Sequence, residues 1–209
     1  MVDVEEVYKL CVEGLLEDSR EGYIDNDQFN RISVLAEGML FRYFISLPDN
    51  RDKSSALGVF RKQSDIVDGK LPADFRHRIT THVGKVGDNG VEFVFAREYV
   101  DNEVSVTEEN SIRGSSDSKF RVQIVGKNIK VYPTNYDGVI RLVYYRNPDY
   151  ANRVVEYDAG NDVYNYDPAS SKHYEWNDFV RDKLVSFILY FLGVEVRDPS
   201  IINFLKAIA

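Results

Sequence analysis

The sequence predicts an α+β fold in which helices from both chain ends form a small bundle and the middle of the chain forms an antiparallel β-sheet or sandwich domain. Apolar residues recur at helical spacing near both termini, and apolar and polar residues alternate in several stretches between residues 75 and 147. With 209 residues, 44% of them apolar, the chain can bury one core and a small additional layer. We therefore expect helices that bracket a sheet.

Residues 1–48 are predicted to form an N-terminal helical pair. Asp3 and Glu6 have the spacing of a capping box, and the apolar stripe that follows predicts a helix to about Glu17. Asp25 begins a second capping signature, and its apolar stripe stops before Leu47. Because the connection is short, we expect the two helices to pack antiparallel.

Residues 49–74 are polar and weakly periodic, which predicts an exposed excursion with one short helix.

Residues 75–150 are predicted to form the antiparallel β domain. A turn at Asn89 and Gly90 favours a hairpin between two of its strands. Residues 97–118 have the composition of a long, partner-facing loop. Alternation predicts strands at 78–83, 91–95, 120–124, 129–132 and 139–145.

Residues 151–175 form a linker rich in Tyr, Asp and Asn, and residues 176–209 are predicted to form C-terminal helices that pack with the N-terminal pair. Trp176 begins the apolar stripe, and Gly193 occupies the position of a left-handed C-terminal residue. Asp198 followed by Pro199 predicts the start of a short last helix. The chain ends therefore supply the bundle.

Motifs for catalysis or for cofactor binding are missing from the sequence. The single cysteine, Cys11, fits the apolar side of a helix, so we expect a small buried side chain. The histidines lack metal-ligand spacing, and the carboxylates of the first helices fall on predicted solvent faces, where shifted pKa values are not expected. We therefore predict no enzyme activity, no catalytic residue, no cofactor and no metal site. The histidines are His77, His82 and His173.

Two further patterns have competing interpretations. Glycines 84, 87 and 90 lie three apart, but two predicted strands flank them, which favours a hairpin over a phosphate loop. Asp158, Asp162 and Asp167 could supply oxygen ligands to calcium, but the EF-hand order is absent and turn formation explains them.

The formal net charge is −8, and most of it lies near the N-terminus. The first 50 residues contain 11 acidic and 4 basic residues, whereas the rest of the chain is nearly neutral. Binding to a nucleic acid backbone needs a basic surface, which this distribution does not supply. The first residues lack a basic leader, and the longest near-apolar run, 184–192, is shorter than the roughly 20 residues of a membrane helix. We expect neither secretion nor membrane insertion.

The chain is rich in aromatic residues, with 14 Tyr and 12 Phe. Tyrosine is favoured at interfaces because it combines a large contact area with a polar tip, so a subunit interface competes with a sheet-covering core as the explanation. The tyrosines around the last strands and the linker are Tyr132, Tyr144, Tyr145, Tyr150, Tyr157, Tyr164 and Tyr166.

Segments from across the chain together resemble a known family. Residues 22–30, 129–133, 142–148 and 175–199 are similar to the head-to-tail connector (adaptor or ring) proteins of crAss-like and other short-tailed phages, including tail tubular protein A, the gatekeeper. The resemblance implies a homo-oligomeric ring, commonly of twelve subunits, stacked below the portal protein beside other ring or tail proteins. Such a subunit is made in the cytoplasm of the bacterial host and ends in the virion neck or tail.

The resemblance brings no catalytic residue, and it implies that DNA passes through the ring without specific binding. We expect the acidic first helices to line the lumen and repel phosphates during transit. The alternatives are a monomeric β-rich module that recognises a peptide or a glycan, and a hydrolase or nuclease whose acidic cluster binds a divalent metal. The predicted lumen-facing residues are Glu5, Glu6, Glu13, Glu17 and Glu21.

Overall fold

A computed structural model of the chain describes residues 1–17, 24–66, 68–87, 90–98, 120–132, 138–194 and 198–208. The chain divides into two compact units. Both chain ends, Met1–Val59 and Pro148–Ala209, form the first unit, and Phe60–Asn147 forms the second. None of the described helices combines the length and the apolarity that crossing a bilayer requires.

Helices dominate the first unit. Asp3 caps the first helix by accepting hydrogen bonds from the backbone N–H groups of Glu5 and Glu6, and Asp25 caps the second by accepting from Asp27. Trp176 is buried and packs against Phe41 and Phe44 of the second helix, and it precedes the last two helices instead of beginning one. The helices are α1 Val4–Glu17, α2 Asn26–Ser46, α3 Arg51–Leu57, α4 Arg181–Phe191 and α5 Pro199–Ile208.

The second unit contains two sheets. A four-stranded antiparallel sheet has the order β1-β7-β2-β3, and a three-stranded sheet has the order β4-β5-β6, in which the short β4–β5 pair is parallel. Their core includes Val83 and Leu142 from the first sheet and Val122 and Ile129 from the second. The strands are β1 Arg61–Ile66, β2 Phe75–Gly87, β3 Gly90–Phe95, β4 Arg97–Glu98, β5 Arg121–Val125, β6 Asn128–Tyr132 and β7 Ile140–Arg146.

The α+β prediction is confirmed, and most predicted helices and strands lie within a few residues of the observed ones. Two of the predicted irregular segments are more ordered than expected. The segment predicted as an exposed excursion contains the edge strand β1 in addition to the predicted short helix, which is α3, and Ala56, Leu57 and Phe60 are buried there. The predicted linker 151–175 contains a two-stranded hairpin of β8 Val155–Asp158 and β9 Val163–Tyr166.

Local composition misled both of these predictions. Strand β1 is almost entirely polar, so it lacks the alternation that identifies a half-buried strand, and only its pairing with β7 defines it. The predicted turn residue Asn89 and most of the predicted loop 97–118 lie outside the described residues.

Candidate functional site

One face of α2 carries polar side chains where a buried helix face is usually apolar. Asn26, Asn30, Ser33 and Glu37 follow one another at intervals of four, three and four residues, which places them on the same face of the helix. Ser33 and Glu37 are buried, and each of the four side chains makes a hydrogen bond to the returning segment 151–176. We call these four residues the polar stripe.

The first two residues of the polar stripe hold the backbone of Arg153. The Asn30 side chain donates to the Arg153 carbonyl oxygen at 2.8 Å and accepts from the Arg153 N–H at 2.8 Å. Asn26 donates to the same carbonyl at 3.1 Å and accepts from the guanidinium at 3.0 Å. This reciprocal pairing fixes the chain immediately before strand β8.

The guanidinium of Arg153 is mostly buried between α1 and the hairpin. Its Nε donates to Glu5 at 2.6 Å, and its centre lies 3.8 Å from the ring centroid of Tyr8 and 5.5 Å from that of Tyr166. The ion pair compensates the buried charge, and the stacking adds a cation–π contact. Tyr166 lies at the base of the hairpin, so Arg153 joins the hairpin to the helices.

The last residue of the polar stripe is the fully buried Glu37. Its carboxylate accepts hydrogen bonds from the Ala151 N–H at 3.1 Å and from the Trp176 indole at 3.0 Å. Burial raises the pKa of Glu37 from 4.5 to about 7, and the nearby Glu175 adds to this effect, whereas the two hydrogen bonds and Lys172 oppose it. The prediction that the carboxylates of the first helices lie on solvent faces is therefore wrong for Glu37.

The hairpin that these contacts position has two chemically different faces. Tyr157 pairs with Tyr164, and Val155 pairs with Tyr166, so one face is aromatic and apolar. The opposite face carries Glu156 and Asp158 together with Val163 and Asn165. Residues 155–166 include three acidic residues and no basic residue. We call Val155–Asp158 and Val163–Tyr166, with the turn that joins them, the tyrosine hairpin.

The outer end of the tyrosine hairpin exposes its aromatic side chains. Tyr157 is 53% exposed and Tyr164 is 72% exposed, and their ring centroids lie 5.1 Å apart. The Tyr157 hydroxyl donates to Asp162 at 2.7 Å, which restrains its ring. A two-stranded ribbon is marginally stable alone, and a solvent-exposed aromatic pair on it is typical of a contact surface.

The predicted lumen-facing glutamates separate into different environments. Glu5 is largely buried and pairs with Arg153, so little of its charge is available to a lumen. Glu6 pairs with Arg181, and Glu13 is exposed without an ion pair among the described residues. The side chain of Glu17 and the whole of Glu21 lie outside the described part of the structure.

The seven predicted interface tyrosines also differ in their burial. Tyr132 and Tyr144 are buried in the second unit, where Tyr144 donates to Asp74, so the interface interpretation is wrong for these two. Tyr145 is half-buried and stacks on His77, and Tyr150 is also half-buried. Tyr157, Tyr164 and Tyr166 form the aromatic face of the tyrosine hairpin.

Sequence reasoning missed the polar stripe and Arg153. The signal was present, because Asn26, Asn30, Ser33 and Glu37 recur at the spacing expected of core positions.

Among the residues that the structure describes, no group of three or more His, Cys, Asp or Glu side chains could hold a metal ion. Cys11 is buried, as predicted, and burial raises its pKa to about 12, which suppresses the reactive thiolate.

No protein-family model matches the chain, and a comparison with curated proteins finds no relative.

Proposed function

We propose that the chain is a virion structural protein, a subunit of a head-to-tail connector or tail ring that stacks below the portal and forms part of the DNA conduit. The observation that carries the proposal is the exposed Tyr157–Tyr164 pair on a hairpin that is anchored rigidly at its base. Arg153 and the polar stripe fix that base, so the hairpin is presented with little loss of entropy on association. Such preorganisation suits a subunit that assembles.

The arrangement of the chain also supports an assembly role. Both chain ends contribute to one helical unit, and the middle of the chain forms a separate β unit. The sequence resemblance to connector proteins implies the same division. The proposal includes no chemical step.

The proposal still includes acidic side chains that line the lumen and repel DNA phosphates, but it assigns this role to fewer residues than the sequence predicted. Reversal of Glu5 would break its pair with Arg153, so ejection experiments should leave Glu5 unchanged. The informative charge reversals are Glu13→Lys, Glu17→Lys and Glu21→Lys together, because Glu13 is exposed and has no ion pair among the described residues. We expect slower DNA ejection from assembled particles, and unchanged ejection kinetics would reject the lumen role.

The assembly proposal is tested by native mass spectrometry and negative-stain microscopy of the purified chain, alone and mixed with portal protein. Rings, formed by the chain alone or only after portal is added, are the expected result. A chain that stays monomeric and does not bind portal would contradict the proposal.

A second candidate function is a monomeric β-rich module that recognises a peptide or a glycan. The exposed Tyr157–Tyr164 pair also favours this function, because adjacent aromatic rings can stack against a sugar or a peptide side chain. Glycan-array and peptide-array binding by a monomer, abolished by Tyr164→Ala, would support the module over the ring.

A further inference from the structure

The outer face of α2 has an unusual composition for an exposed helix surface. Val34 is 38% exposed and Leu35 is 55% exposed, and the exposed side chains of Arg31 and Arg42 flank them. Neither arginine has a hydrogen bond or an ion pair to any residue within the described ranges. We call these four residues the α2 patch.

The α2 patch and the tyrosine hairpin have complementary properties. The patch presents two apolar side chains between two arginines that have no ion pair within the described ranges, and the aromatic face of the hairpin presents two exposed tyrosines beside Asp162, whose carboxylate accepts from the Tyr157 hydroxyl. Arginine guanidinium groups stack favourably on tyrosine rings and pair with carboxylates. The patch therefore supplies guanidinium groups, and the hairpin supplies the aromatic rings and the carboxylate that such groups bind.

The dimensions of the two surfaces also agree. Arg31 and Arg42 are eleven residues apart, which corresponds to about 16 Å along a helix. The four-residue strands of the hairpin extend for about 13 Å. The aromatic face of the hairpin can therefore lie along the apolar part of the patch, with its tyrosine rings and Asp162 facing the flanking arginines.

The two surfaces belong to opposite sides of α2. The base of the hairpin is held by the polar stripe, and with about 100° of rotation per residue the α2 patch is centred about 130° around the helix from that stripe. A contact in which the hairpin of one copy meets only the patch of the next copy is heterologous, and it leaves a free patch at one end and a free hairpin at the other. Repetition of such a contact produces a ring or a filament.

From these observations we infer that the tyrosine hairpin of one copy docks on the α2 patch of a second copy of this chain, in a head-to-tail contact. The inference rests on the proposed function and names the subunit surfaces that form the ring. The other possible occupants of the hairpin, a glycan or an unrelated peptide, are outcomes of the test below.

Two variants, each defective in one surface, test the contact. Tyr157→Ser/Tyr164→Ser removes the hairpin surface, and Arg31→Glu/Leu35→Ser removes the patch. Since both pairs are exposed, thermal unfolding should change little, whereas self-association measured by sedimentation velocity should weaken by about tenfold or more. The matched control is Phe179→Ser/Tyr190→Ser, which removes exposed aromatic side chains of the same unit and should leave association unchanged.

Mixing the two defective variants gives the sharpest outcome. A head-to-tail contact leaves one intact junction between them, so a mixture should form a one-to-one complex and stop there. A contact of hairpin with hairpin, or of patch with patch, would form no complex in the mixture. If the wild-type chain forms rings and both variants form them equally well, the proposed contact is overturned but the ring assignment is not. If the wild-type chain stays monomeric with and without portal, the ring assignment is overturned as well.

Cross-linking provides an independent measurement for the case in which a variant folds poorly. Tyr164→Cys/Leu35→Cys, treated with a short bis-maleimide, should produce a ladder of covalent multimers, since the native Cys11 is buried and does not react. Tyr164→Cys alone should produce no ladder and no dimer. A dimer from the single variant, or no ladder from the double variant, would overturn the head-to-tail contact.

Discussion

The indole Nε1–H of Trp176 donates a hydrogen bond to the buried carboxylate of Glu37 at 3.0 Å, across 139 residues of sequence. The two rings of Phe41 and Phe44 lie about 6 Å from the indole, so the hydrogen bond is enclosed by aromatic side chains. It connects α2 to the end of the returning segment. The polar stripe thus stabilises the contact between the two chain ends. Its hydrogen bonds fix the relative position of the two segments more specifically than apolar packing alone would.

We predict that Glu37 makes the folded protein less stable as the pH rises from about 4.5 to about 7. The folded protein keeps the Glu37 proton up to about pH 7, whereas the unfolded chain releases it near the usual 4.5. With about 1.4 kcal/mol per pKa unit, the free energy of unfolding should fall by about 3 kcal/mol across that range and then level. Urea unfolding at several pH values measures this slope.

The control for this prediction is Glu37→Gln, which removes the titration. Histidines and other groups that titrate in the same range are common to both proteins, so the difference between their curves isolates Glu37. Curves that run parallel from pH 5 to pH 8 would show that Glu37 does not titrate in this range.

We predict that Arg153→Gln destabilises the protein by about 3 kcal/mol, because it leaves the largely buried Glu5 carboxylate without its main partner. Glu5→Gln/Arg153→Gln should recover part of this loss. The matched surface control is Lys62→Gln, whose more exposed pair with Asp74 should contribute less than about 1 kcal/mol. Chemical denaturation compares the variants, and equal losses at the two sites would contradict the structural role of Arg153.

We predict that Thr81→Val stabilises the protein by about 1 kcal/mol. Thr81 is fully buried, and its hydroxyl has no hydrogen-bond partner among the described residues, so valine removes the cost of an unsatisfied polar atom at nearly constant volume. Thr80→Val, at the adjacent half-buried position, should change stability little. A melting temperature that falls for Thr81→Val would indicate that the hydroxyl has a partner.

We predict that Gly126→Ala destabilises the β5–β6 turn by about 1 kcal/mol for a purely conformational reason. Gly126 has φ +60°, but a Cβ atom there would meet nothing within 4 Å. Gly126→Asn should cost less, since asparagine tolerates the left-handed region. Thermal unfolding of both variants is the measurement, and an asparagine variant less stable than the alanine variant would contradict this explanation.

The sequence supported the prediction of the helices and of most strands because those signals are local. Asp3 and Asp25 identify helix starts by hydrogen bonds to residues two or three positions away, and the alternation in β5 and β6 reflects one face that is more buried. Strand β1 has no such signal, since its polar residues gain their conformation from the neighbouring strand β7. Composition alone also could not separate the buried Tyr144 from the exposed Tyr164.

The sequence by itself determined the α+β class, the helical chain ends, the acidic N-terminal region and the surplus of tyrosine, because each follows from composition or short-range periodicity. Only the tertiary structure decided which polar residues lie inside. Asn30 and Arg153 are 123 residues apart, and the cost of burying them is offset only when the returning chain brings their hydrogen-bonding groups together. The position of the tyrosine hairpin, one of the two surfaces that we propose for assembly, depends on that long-range contact.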